Sequence, residues 1–139
     1  KVSTLSWKGR RKPLNYDFHC WFLNRPKEIL YDRIDKRCEK MLALGFLDEV
    51  RALIPKGIEQ NSSACQAIGY RQALEFFKTG QTKEDYNKFV EAFKMASRHY
   101  AKRQITWFKR EPLFRWIDLE MHDPEVVMDI IEQDFEQSL

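Results

Sequence analysis

Residues 16–23 read Tyr-Asp-Phe-His-Cys-Trp-Phe-Leu, an apolar, aromatic-rich run that predicts a buried strand, which Asn24-Arg25-Pro26 ends. From Ile29 the period changes. Leu30, Ile34, Cys38, Met41 and Leu42 recur at three-four spacing, predicting an amphipathic helix that Gly45 stops. Leu47, Val50, Leu53 and Ile54 mark a short second helix ended by Pro55 and Gly57, and a polar loop follows over residues 59–63. Ser62 and Ser63 are placed to cap a third helix carrying Ile68, Leu74, Phe76 and Phe77 and ending at Gly80. Thr82 with Asp85 reads as a capping box opening a long helix, free of Gly and Pro to about Arg110, with an apolar stripe of Tyr86, Phe89, Phe93, Ala96, Tyr100 and Trp107. Beyond Pro112, residues 113–117 predict a short strand. Asp123-Pro124-Glu125 then opens a final helix with Val127, Ile130, Ile131 and Phe135 inward and Asp129, Glu132 and Glu136 outward. Residues 1–15 show no period and read as a loop or the end of a preceding element. The pattern predicts a mostly helical α/β chain with one or two strands, divided into residues 1–15, a core over 16–118 and an acidic helical tail over 119–139.

Composition narrows this without changing it. A chain of 139 residues, 43% hydrophobic, 32% charged and 14% aromatic, has the size and balance of one folded domain. No apolar run approaches the roughly 20 residues of a spanning helix, and no signal-peptide run opens the chain. Three well-separated cysteines, Cys20, Cys38 and Cys65, point to neither a disulfide framework nor a zinc site, so a reducing cytoplasm is the expected setting. The start without Met leads us to expect a piece of something longer.

Charge is unevenly divided. Residues 1–117 hold all 24 Lys and Arg against 13 acids, whereas residues 118–139 hold eight acids and no base. A basic body attracts polyanions, and Lys94, Arg98, Lys102, Arg103, Lys109, Arg110 and Arg115 cluster with only Glu111 among them, mostly on the long helix. The acidic tail is expected to fold back on that basic face.

Two positions break the pattern. The stripe through Phe93, Ala96 and Tyr100 next requires an apolar residue at 103 or 104 and finds Arg103 and Gln104. Burying an unpaired guanidinium costs several kcal/mol, so this face either opens onto a polar ligand or hides an internal carboxylate partner. Gly69 stands near the start of the third helix, where glycine normally costs about 1 kcal/mol against alanine. Either it admits close backbone approach by a ligand, or the helix begins only after it. Arg33, Arg37 and Lys40 share a face as an anion clamp, or Asp32 and Lys36 lace that surface with ordinary ion pairs. The three histidines have no metal-ligand spacing. Gly-rich phosphate loops and nucleophile elbows are absent from these residues.

Together, the segments Ala67-Ile68-Gly69-Tyr70-Arg71-Gln72, Tyr100-Ala101-Lys102-Arg103-Gln104-Ile105-Thr106-Trp107-Phe108 and Trp116-Ile117-Asp118 resemble the C-terminal half of the tRNA dimethylallyltransferase family. Arg25-Pro26, Leu30, Arg33-Ile34, Arg37, Met41-Leu42, Gly45-Phe46 and Glu49-Val50 agree, and the likeness spans most of residues 16–118. The resemblance implies a P-loop-type α/β prenyltransferase with a helical insertion. Its reaction moves a dimethylallyl group from dimethylallyl diphosphate to the N6 amine of the adenosine 3′ of the anticodon, which is flipped into a channel. Carried onto this sequence, the tRNA-contacting positions are Gln66, Ala67, Ile68, Gly69, Tyr70 and Arg71, and Lys102, Arg103, Gln104, Ile105, Thr106, Trp107, Phe108 and Lys109. Arg37 is the implied diphosphate contact, Mg2+ accompanies the diphosphate, and the tRNA anticodon stem-loop is the partner of a monomer. The family's phosphate loop and general-base Asp have no counterpart here, so these residues alone are expected to bind RNA and transfer nothing. Ser97-Arg98-His99 departs from the family's usual Thr-Arg-Gln. The alternatives are a stand-alone helical RNA-binding module and a helical domain whose basic face meets an acidic protein.

Overall fold

The fold comes from a computed structural model that describes residues 18–137; the loop reading of residues 1–15 and the strand reading at Tyr16 and Asp17 lie outside the described residues. Two strands, β1 (Cys20–Asn24) and β2 (Phe114–Asp118), pair in parallel with Cys20 opposite Phe114 and Asn24 opposite Asp118. Parallel neighbours need a long crossover. Here that crossover is the helical body itself: α1 (Lys27–Ala43), α2 (Phe46–Leu53), α3 (Tyr70–Phe77) and α4 (Lys83–Phe108), with α5 (Pro124–Glu136) after β2. The architecture is the mostly helical α/β class that the sequence predicts.

The core lies among the helices, where Ile34 and Cys38 of α1 meet Phe46 and Val50 of α2, Ala73, Leu74 and Phe76 of α3, and Phe89 and Phe93 of α4. Phe46 stacks on Phe93 with centroids 5.4 Å apart, and Phe76 stacks on Phe89 at 5.3 Å. A second aromatic cluster fastens the end of α4 to the sheet. Phe22 of β1 lies 4.1 Å from Trp116 of β2 and 5.0 Å from Phe108, which packs edge-on against Phe114.

Several local expectations change. Residues 18 and 19 precede β1, and Leu23 is 49% exposed, so the strand is half-buried rather than sealed. Ser62 and Ser63 cap nothing. The Asn61 side-chain oxygen instead accepts from the Ser63 and Ala64 amides, opening a 3₁₀ turn at Ala64–Gln66, and α3 starts only after Gly69. Thr82 and Asp85 form the expected capping box. Asp123 stands at the N-cap of α5, but its carboxylate makes no capping bond.

Candidate nucleic-acid interface

The buried seam of α4 differs from the stripe read in the sequence. It steps by four, through Phe89, Phe93 and Ser97, and continues through half-buried Ala101 and Ile105 to Phe108, whereas Tyr100 and Trp107 are 49% and 56% exposed. Ser97 is tolerated inside because its hydroxyl donates to the Phe93 carbonyl at 3.0 Å. At 3.6 residues per turn, Arg103 lies about 160° around the helix from Ile105. Its guanidinium is therefore exposed and clear of the dry core, and it sits 5.8 Å from the Tyr100 ring. No carboxylate among the described residues pairs with it, which settles the two readings of position 103 in favour of an open face.

Arg103 shares a groove of about 320 Å³ between α3 and α4 with His99 and Met95 on its own helix. Across the groove stand Gln66, Ile68, Arg71, Gln72 and Glu75. Arg71 approaches Glu75 at 3.9 Å, a loose, exposed pair worth little. The two motifs, more than thirty residues apart in sequence, thus converge on one cationic hollow.

Gly69 makes that convergence geometrically possible. Its φ of +91° is one that side chains rarely adopt, and a Cβ there would lie 2.9 Å from Phe93 and 3.0 Å from Phe46. Glycine is thus required by the core behind it, where the chain turns into α3. Its amide donates to the Gln72 side-chain oxygen at 2.8 Å, so buried Gln72 holds the turn. Gln72 and His99 both line the groove, and neither is among the contact positions carried over from the family motifs. The turning glycine three residues before Gln72 was the available signal for the first, and the fixed spacing of His99 from Arg103 on one helix face for the second.

Other motif positions point elsewhere. Ala67 and Tyr70 face a separate hollow beside Leu53 and Ile58, and the Tyr70 hydroxyl donates to Glu49 at 2.5 Å, which raises the phenol's pKa. Gln104 and Ile105 line a crevice of about 280 Å³ with Asn24, Arg25 and Arg33, at the C-terminal end of β1. Arg37, one turn beyond Arg33, is exposed and outside that crevice, while Lys36 pairs with Asp32 at 2.7 Å as the surface reading of α1 supposed. Phe108 belongs to the aromatic cluster. Lys102, Thr106, Trp107 and Lys109 are exposed, with the Thr106 hydroxyl donating to the Lys102 carbonyl at 2.8 Å.

The basic cluster is smaller than the sequence implied. Lys94 bonds Glu39 at 2.6 Å, which raises its pKa, and Arg98 reaches both Asp35 oxygens at 2.6 and 2.7 Å. Arg115 is held by Asp134. Lys102, Arg103, Lys109 and Arg110 remain without an ion pair among the described residues. The tail does fold back, but of the cluster only Arg115 meets one of its acids among the described residues. Glu120 pairs with Arg25, and Asp134 accepts from Arg115, from His19 Nδ1 at 2.7 Å and from Trp21 Nε1 at 3.1 Å. Hydrogen bonding to His19 first, then to Arg115, holds the Asp134 carboxyl below the usual range.

A crossover of helices on a parallel strand pair, with a cationic groove built from two separated motifs, is the setting in which the comparisons with known proteins fall. The sequence pattern described as IPP transferase matches residues 1–111, and the chain belongs to that family. It is 70% identical over 136 residues to the tRNA dimethylallyltransferase of Protochlamydia amoebophila, covering 98% of this chain and 40% of that protein. The crystal structure of the tRNA delta(2)-isopentenylpyrophosphate transferase of Staphylococcus epidermidis superposes with a TM-score of 0.80 at 34% identity, over 90% of this chain and 39% of that one. The full-length tRNA isopentenylpyrophosphate transferase of Bacillus halodurans superposes at 0.73 and 30% identity, over 84% and 38%. The chain therefore spans about 40% of the length of these relatives.

Proposed function

We propose that this chain is the tRNA-holding part of a tRNA dimethylallyltransferase. In the reaction the dimethylallyl carbon leaves its diphosphate oxygen and bonds the N6 amine of the adenosine 3′ of the anticodon, and that amine loses a proton. The observation carrying this reading is that Gln66, Ile68 and Arg71 share one groove with Arg103, whose guanidinium has no carboxylate partner among the described residues. Single-stranded loop recognition uses such a surface, with cations for phosphates and exposed aromatics for splayed bases. Tyr100 and Trp107 supply exposed rings on the same helix. The remaining motif positions act indirectly: Gly69 shapes the turn, Phe108 anchors the helix, and Lys102 and Lys109 extend the positive field.

Arg37 remains the proposed diphosphate contact, on the helix that also aims Arg33 at the crevice beside the end of β1, the side of a parallel sheet on which ligands collect. Among the described residues, no group of three His, Cys, Asp or Glu side chains is arranged to hold a metal. Mg2+ is assigned to the diphosphate, as the resemblance implies. Among the described residues, no helix is long and apolar enough to cross a membrane. A cytoplasmic monomer acting on the anticodon stem-loop completes the reading.

The test is titration of an anticodon stem-loop into the wild type and Arg103→Ala. Loss of a charge-assisted contact should weaken binding about tenfold. The log–log salt slope should flatten by about 0.7. Equal affinity with an unchanged slope would sink the proposal. Prenyl transfer by these 139 residues alone would contradict the assignment of a tRNA-holding part only.

A further inference from the structure

We infer that His99 is an RNA-phosphate contact in the groove between α3 and α4, and that it engages only when protonated. This rests on the RNA-binding reading above and adds to it a residue and a proton. His99 is exposed on α4 one turn before Arg103, and both line the groove. Among the described residues its ring has no hydrogen-bond or ion-pair partner, although both ring nitrogens are able to bond.

The charged groups that face it are few. Arg71 and Glu75 project from α3, Arg103 from α4, and the rest of the lining is the amides of Gln66 and Gln72 and the side chains of Ile68, Ala92, Met95 and Ala96. Arg71 and Glu75 largely offset one another. With His99 neutral the hollow thus carries one net positive charge, centred on Arg103, and with His99 protonated it carries two. A neutral imidazole donates one hydrogen bond, whereas an imidazolium donates two and adds a charge to each. A polyanion laid along α4 and touching Arg103 passes His99 four residues away, about 6 Å along the axis. That interval is close to the spacing of successive phosphates in a single strand, so one strand can meet both residues. Phosphate beside the ring favours the protonated form. Binding and protonation are therefore linked, and affinity rises as pH falls.

The sign and size follow from the geometry. The contact is solvent-exposed, so the gain is that of one surface ion pair, about two- to fivefold in Kd between pH 8.0 and 5.5. One further phosphate is neutralised at the lower pH, which steepens the log–log salt slope by about 0.7 for a single strand.

The experiment is titration of the anticodon stem-loop into the full chain and into His99→Gln, at pH 8.0 and 5.5 and at several salt concentrations. The ring is exposed and the glutamine polar, so the fold is retained, which a circular-dichroism melt verifies. The expected result is a wild type that binds more tightly, with a steeper salt slope, at pH 5.5, and a variant that matches it at pH 8.0 and gains nothing on acidification. A pH dependence that survives in His99→Gln assigns the proton to RNA bases or another histidine and overturns the inference. So does an equal loss of affinity at both pH values, which would make the ring a neutral contact. In either case binding itself persists and the RNA-binding reading stands. A wild type that fails to bind at either pH overturns both.

Discussion

Replacing Gly69 by alanine tests whether the turn into α3 is built against the core or merely happens to contain a glycine. The added Cβ meets Phe93 at 2.9 Å and Phe46 at 3.0 Å, in a backbone with φ at +91°. Holding a side chain in that region costs about 1–3 kcal/mol. Both rings are buried and mutually stacked, so neither yields freely, and overpacking of this kind adds about 1–3 kcal/mol. Alanine restricts the unfolded chain, which returns up to about 1 kcal/mol. The net expectation is a loss of about 3 kcal/mol, within roughly 1–6. Urea unfolding followed by circular dichroism measures it, with Gly80→Ala as the control. A Cβ at Gly80 finds its nearest neighbours at 3.7 Å, so that variant should stay within about 1 kcal/mol of the wild type. If Gly69→Ala unfolds within about 0.5 kcal/mol of the wild type, the turn is not clamped between the rings and the geometric account of position 69 is wrong.

Arg98→Ala and Arg103→Ala should separate stability from binding. Arg98 is bonded to both oxygens of Asp35 with the pair three-quarters buried, so its loss lowers stability by about 1 kcal/mol, whereas Arg103→Ala melts with the wild type and loses RNA affinity. Equal melting of the two variants would refute that division. The depressed Asp134 pKa stabilises the fold above the ordinary carboxylate range, and this contribution disappears as pH falls through the folded-state value. Asp134→Asn should therefore lose stability at neutral pH and show a shallower acid decline, read from melts at pH 3–7; parallel acid limbs would count against the linkage.

Local chemistry was legible in the sequence because its causes are local. The Thr82–Asp85 capping box, the proline opening of α5 and the three-four spacing of α1 each lie within a turn or two of chain, and each element appears where its residues called for it. Of the candidate site, the sequence marked positions 69 and 103 as anomalous. Gly69 was legible as a special backbone, but which neighbour required it was not, since Phe46 and Phe93 arrive from helices on either side. The α4 stripe was misread for a related reason. Burial of an alanine or serine depends on what packs beside it, so a seam through Ser97 and Ala101 carries no hydropathy signal.

Charge pairing was the largest gap. Lys94, Arg98 and Arg115 look like free cations along the chain, yet their partners Glu39 and Asp35 lie 55 and 63 residues upstream and Asp134 lies 19 residues downstream in another element. The sequence by itself determined which helices and strands form, the surplus of base over acid in the body, and the two motifs. Tertiary structure alone decided that Gln66, Arg71, His99 and Arg103 face one groove while Gln104 turns to another. Residue order sets the direction of each side chain on its own helix; only the packing of helix on helix sets what lies opposite, and a binding surface is made of what lies opposite.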